Sequence, residues 1–154
     1  AWRKGQGIVL CGGVGTGKTR CALTAAKTIL EADPGIRVRF LPMADLLGAV
    51  IRDQTDRGFI ESLLSNQVVI VDDMDKVPAD KDWARSQVFN FYDACLRDGI
   101  PLIGTTNLSG PDEMAQVFDY AVVSRIIGKC KFVRFSMDTK DDYRIIRRRY
   151  ENKA

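Results

Sequence analysis

The 154-residue sequence contains no histidine. That absence removes Ser-His and Cys-His nucleophile systems and the imidazole ligands of zinc sites, so any chemistry must come from carboxylates, cations, amides and a bound metal. The four cysteines, Cys11, Cys21, Cys95 and Cys130, are scattered without a C-x-x-C pair. Each lies in or beside an apolar segment, which predicts reduced, mostly buried thiols. No apolar run approaches the ~20 residues that a membrane span needs, and the N-terminus lacks a signal-peptide layout; a cytoplasmic protein with no membrane partner is expected. The formal net charge of +3 is too small to establish a nucleic-acid partner. Repeats, low-complexity tracts and interdomain linkers are absent, so residues 1–154 are expected to form one domain. The chain opens on Ala1 rather than Met, with seven residues before the first strand pattern, and an upstream segment is expected to be missing.

What is present begins with Ile8-Val9-Leu10-Cys11, an apolar run feeding Gly12-Gly13-Val14-Gly15-Thr16-Gly17-Lys18-Thr19. This is G-x-x-x-x-G-K-T between a strand pattern and a helical one, the context a phosphate-binding P-loop requires. Its glycines let successive backbone N–H groups curl around a β-phosphate, and the following helix N-terminus favours an anion. Residues Gly12 to Arg20 are therefore candidates for binding ATP or ADP. Lys18 is expected to reach the β- and γ-phosphates and the Thr19 hydroxyl to ligate Mg²⁺.

Five short apolar runs read as strands: Ile8 to Cys11, Arg37 to Leu41, Val68 to Asp72, Leu102 to Thr105 and Lys131 to Phe135. Helical patterns alternate with them over Arg20 to Leu30, Ala44 to Gln54, Phe59 to Leu64, Trp83 to Arg97, Pro111 to Phe118 and Tyr143 to Tyr150. The alternation predicts an α/β fold with a five-stranded parallel sheet. Val88, Phe91, Tyr92, Cys95 and Leu96 form one apolar stripe, so Phe91 and Tyr92 are expected in the core with no ligand role. Thr139 to Asp142 reads as a capping box, with Asp in place of Glu, that launches the last helix.

Val68-Val69-Ile70-Val71 ends in Asp72-Asp73, a buried central strand delivering two acids to its C-terminal edge. At this Walker B position Asp72 is expected to hold Mg²⁺, and Asp73 to polarise an attacking water as a general base. The strand from Leu102 ends in Thr105-Thr106-Asn107, where Asn107 could hold that water or the γ-phosphate. Arg125, taken alone, is an ordinary surface residue on a helix. Arg144 stands at the start of the final helix, where a cation gains nothing from the helix dipole.

Taken in order, the P-loop, Val-Ile-Val-Asp-Asp, the Thr-Thr-Asn-Leu-Ser of residues 105 to 109, the Ser-Arg-Ile of 124 to 126 and the Asp-Tyr-Arg of 142 to 144 resemble the AAA+ domain of the bacterial or phage DnaC/DnaI replicative helicase loaders. The IstB-type transposase helpers are relatives of that family. The resemblance implies a three-layer P-loop ATPase of the additional-strand class without a separate lid domain, in which a sensor strand lies between the P-loop and Walker B strands. It further implies Asn107 as sensor 1, Arg125 as an arginine finger acting on ATP in a neighbouring protomer, and Arg144 as sensor 2. Head-to-tail self-association follows from a finger supplied in trans. A replicative helicase, gripped through the missing upstream segment, and single-stranded DNA are the implied partners.

Two departures stand out. Many members follow the acids with a hydrophobic residue and Gly, whereas Met74-Asp75-Lys76 stands here, and the second acid is Asp where AAA+ proteins at large use Glu. The shorter arm predicts slow hydrolysis, suited to a switch. Arg52, Arg57, Lys129, Lys131 and the run Arg147 to Arg149 could line a phosphate-tracking groove or merely form a solvated basic face. Three other functions remain open at this point: an IstB-like transposition ATPase, a small-molecule P-loop kinase, and a nucleotide-binding adaptor that does not hydrolyse.

Overall fold

The computed structural model describes residues 4–53, 58–78, 80 and 82–151. In chain order the elements are β1 (Gly7–Cys11), α1 (Lys18–Ala32), β2 (Val38–Pro42), α2 (Met43–Asp53), α3 (Phe59–Leu64) and β3 (Val68–Asp72). There follow α4 (Asp82–Arg97), β4 (Leu102–Thr106), α5 (Pro111–Val117), α6 (Tyr120–Lys129), β5 (Cys130–Arg134), a 3₁₀ turn (Thr139–Asp141) and α7 (Tyr143–Glu151). The expected strands and helices are all present, with bounds shifted by one or two residues.

The five strands form one parallel sheet in the order β2-β3-β4-β1-β5. β4 therefore lies between the P-loop strand β1 and the acid-bearing strand β3. Every connection between parallel strands needs a crossover, which is why a helix follows nearly every strand. Side chains alternate between the two faces. Leu10, Val68, Ile70 and Ile103 pack with Ala22, Ala26 and Ile29 of α1 on one side. Val9, Cys11, Val69, Val71 and Leu102 pack with α2, α4, α5 and α6 on the other. Because β3 is central and covered on both faces, Val68 to Val71 are all fully buried, and continuous β-branched residues suit that position. Pro42 ends β2, an edge strand, where its missing N–H costs no ladder bond.

The stripe on α4 is core as expected: Val88, Phe91, Tyr92, Cys95 and Leu96 are buried. Phe118 meets Phe89 edge-on at 5.3 Å and Tyr92 at 6.2 Å, fixing the start of α6 against α4. Among the described residues no helix is long and apolar enough to cross a membrane.

The capping box at Thr139 is corrected by the structure. Residues 139–141 form the 3₁₀ turn, whose cap is Asp138, accepting from the Lys140 N–H at 2.9 Å. Asp142 caps α7 instead, its Oδ1 accepting from the Arg144 N–H at 2.8 Å. Asp138 and Asp142, four residues apart, each capture the N–H two residues beyond, a local side-chain-to-backbone bond that Asp favours.

Candidate functional site

The register fixes where chemistry gathers. Cys11 pairs with Thr106 across β1 and β4, and Val71 with Gly104 across β3 and β4. The loops that follow these three strands thus leave the same C-terminal edge of the sheet, at the crevice where open parallel sheets hold ligands. A cleft of about 500 Å³ opens there. It is lined by Val14, Gly15, Gly17, Lys18, Thr19 and Arg20 of the P-loop, by Leu23, by Asp72, Asp73 and Lys76 after β3, by Asn107 after β4, and by Arg144 on α7.

The P-loop is sewn into its surroundings by backbone bonds. Gly12 N–H donates to Thr106 O at 3.2 Å, Gly13 N–H to Ser136 O at 2.8 Å, and Tyr143 N–H to Gly15 O at 3.0 Å. Two glycines are dictated by these contacts as well as by backbone angle. At Gly12 (φ 146°) a Cβ would lie 2.8 Å from Phe135 O, and at Gly15 (φ 75°) one would lie 1.9 Å from Asp142 Oδ1. Close approach of the segment 135–142, invisible in the motif itself, is thus a second reason for glycine at both places. The Thr16 hydroxyl donates to Gly13 O at 2.8 Å and faces a smaller cavity behind the loop, lined also by Phe135, Ser136 and Tyr143.

Lys18 is 6% exposed. Its ammonium donates to Gly12 O at 2.8 Å, Gly13 O at 2.7 Å and Asn107 Oδ1 at 3.1 Å. Burial pushes its pKa below the usual lysine value, against the pull of Asp73, Asp75 and Asp72. The sensor candidate Asn107 is therefore in direct contact with the P-loop lysine, and its own N–H is anchored on Asp75 Oδ1 at 3.1 Å.

At Asp72, both the Thr19 hydroxyl (2.8 Å) and the Thr105 hydroxyl (2.6 Å) donate to Oδ1. Thr105, fully buried, also accepts the Asp73 N–H at 2.9 Å. Asp73 is the one non-glycine with positive φ (56°) among the described residues, a conformation Asp tolerates better than most side chains. Thr105 escaped the sequence reading, which stopped at Asn107. The paired hydroxyls of Thr105-Thr106 were the available signal, but only the strand order puts one of them between the two acids.

Thr19 and Asp72 offer a hydroxyl and a carboxylate oxygen side by side, a hard oxygen pair that fits Mg²⁺. Among the described residues no three His, Cys, Asp or Glu side chains gather into a cage, so the remaining ligands of such an ion have to be nucleotide phosphates and water, which is how Mg²⁺ is ordinarily held.

Arg144 lines the cleft. Arg125 does not: on α6 it pairs with Asp93 of α4, its side chain half exposed. The basic residues considered for nucleic acid are divided. Arg52 lies in the last turn of α2, which packs near β2, whereas Lys129 and Lys131 stand at the opposite edge with β5. Arg57 and the side chain of Arg149 lie outside the described residues.

Comparison with known proteins agrees with this geometry. The family model described as IstB-like ATP binding protein matches residues 2–151. Among solved structures, the DnaC helicase loader superposes with a TM-score of 0.78 at 24% identity, over 88% of this chain and 81% of that one. DnaI gives 0.67 at 21% identity, over 86% and 74%. The replication initiator DnaA bound to AMPPCP and single-stranded DNA gives 0.73 at 21% identity, over 98% of this chain but only 46% of that one. At these identities the likeness is one of fold, the P-loop AAA+ arrangement with β4 between β1 and β3.

Proposed function

We propose that this chain, which belongs to the IstB-like ATP binding protein family, works as the ATP-hydrolysing AAA+ domain of a replicative helicase loader, assembling head-to-tail under control of its nucleotide. The observation that carries the reading is Asn107 at the end of the inserted strand β4, its Oδ1 3.1 Å from the P-loop ammonium of Lys18. A sensor amide on the phosphate-binding lysine, with two acids on the adjacent strand, is a hydrolytic constellation.

In this reading Lys18 leaves its carbonyl acceptors for the β- and γ-phosphates, and Arg144 meets the triphosphate from α7. Mg²⁺, when bound, would supply charge neutralisation at the phosphate oxygens. The chain's share of its shell is the Thr19 hydroxyl and Asp72. Asp73 accepts the proton of the attacking water, which Asn107 orients. Arg125 lies outside its own cleft, so its contribution is to a neighbour's γ-phosphate, where a cation stabilises charge developing in the transition state. The helicase and single-stranded DNA enter as whole-protein partners. Their support is the fold shared with DnaC, DnaI and the DnaA structure holding single-stranded DNA.

A second reading is an IstB-like helper that remodels a transposase on duplex DNA; its support is the match to the IstB-like ATP binding protein family. The test is ATP turnover against protein concentration, with single-stranded or duplex DNA, for the wild type, for Arg125→Ala, and for Arg125→Ala mixed with Lys18→Ala. Turnover that rises with concentration, is lost in Arg125→Ala and returns on mixing is expected. Stimulation by single strands supports the loader, stimulation by duplex alone the transposase helper. Concentration-independent turnover with phosphate passed to a small acceptor would instead establish a kinase.

A further inference from the structure

We propose that Lys76 is a positioning residue that restrains Asp73, occupying the carboxylate until the hydrolytic assembly draws it away. The inference rests on the reading of Asp73 as the base. Lys76 stands in the stretch Met74-Asp75-Lys76 that departs from the family pattern, and nothing in the hydrolytic constellation requires a cation there. Its ammonium lies 2.5 Å from Asp73 Oδ2, and its N–H donates to Asp73 O at 2.9 Å, closing a turn in which Asp73 carries the positive φ. The pair is therefore set by the turn as well as by charge.

Both side chains line the nucleotide cleft, and the ammonium stands on Asp73 Oδ2, so it competes with a cleft water for that carboxylate. The other carboxylate in contact with the site has no such obstruction: Asp72 Oδ1 is met by hydroxyls from Thr19 and Thr105. Lys76 is also free to leave. Its side chain is 60% exposed, and an exposed ion pair is readily exchanged for water. An anionic triphosphate in the same cleft, joined by the cation of a neighbouring chain, competes for both partners of the pair.

The experiment is steady-state ATP turnover at low protein concentration for the wild type, Lys76→Gln, Lys76→Arg, Asp73→Asn and the double variant Lys76→Gln/Asp73→Asn. Lys76→Gln is expected to raise kcat about threefold to fivefold, the rate equivalent of an exposed ion pair, with KM for ATP unchanged. Lys76→Arg, which keeps a cation on the carboxylate, returns kcat toward the wild-type value. The double variant shows no stimulation. At high protein concentration the gap between wild type and Lys76→Gln narrows. If Asp73→Asn is inactive while Lys76→Gln is unchanged, slower or altered only in KM, the restraint is wrong and the base assignment stands. If Asp73→Asn turns over like the wild type, the base assignment is wrong and the restraint goes with it.

Discussion

Thr105 shows how much a single hydroxyl can carry. It donates to the carboxylate of Asp72 and accepts the backbone N–H of Asp73, so it holds both the proposed metal-binding carboxylate and the positive-φ backbone of the proposed base. Thr105→Val removes both bonds at nearly constant volume. Unfolding should cost about 1–3 kcal/mol less, the usual penalty for orphaned buried partners, and hydrolysis should fall at least ~10-fold while nucleotide binding persists, as expected when an interaction matters mainly in the transition state. Chemical denaturation and turnover measurements check this, and Thr105→Ser should recover most of both. Lys18→Ala is expected to abolish ATP binding in a fluorescent-nucleotide titration. Lys18, Thr19, Asp72 and Asp73 were legible as candidates because each stands in a contiguous local motif, and the structure gathers them in one cleft. Thr105 was not, because its partners are 32 and 33 residues away and become neighbours only when β4 is inserted beside β3.

Among the elements, the segment from β5 to α7 supports the P-loop in a way that the motif itself does not show. Asp142 caps α7 and leans over Gly15, while Tyr143 N–H holds Gly15 O. Asp142→Ala should destabilise α7 by about 1 kcal/mol, the typical value of a lost cap. It should also weaken nucleotide binding, because the loop loses its support; circular dichroism and titration with ATP test the two effects. The cysteines report on element burial. Cys11 on β1, Cys95 on α4 and Cys130 on β5 are buried, and Cys21 on α1 is exposed. One thiol of four should therefore react rapidly with a disulfide reagent in the native protein, and all four in denaturant. Burial pushes Cys11 up to about 11 and Cys95 and Cys130 up to about 12, from 9.0. Since the unfolded thiols ionise first, these groups add stability that is complete below pH 9 and is lost progressively from pH 9 toward pH 12, measurable as a falling denaturation midpoint.

For the molecule as a whole, nucleotide binding and folding are linked. A ligand at ~100 times its Kd stabilises the native state by about 2.7 kcal/mol, a rise in Tm of roughly 5–10 °C for a chain of this size. That shift should appear with ATP and Mg²⁺ in a thermal scan and be absent in Lys18→Ala. Arg125 belongs to this scale too. It pairs with Asp93 and does not line the cleft, so the role proposed for it is on the nucleotide of a neighbouring chain. The sequence alone determined the alternation of strands and helices, the P-loop and the two acids, because apolar periodicity and a contiguous phosphate-binding motif are local properties of the chain. Only the tertiary structure decided that Thr105 serves both acids, that Asn107 meets Lys18, that Arg144 lines the cleft while Arg125 does not, and that Lys76 closes on Asp73. Those relations depend on strand order, crossover and the turn after β3, where residues far apart along the chain are brought within hydrogen-bond reach by burying the faces of one sheet.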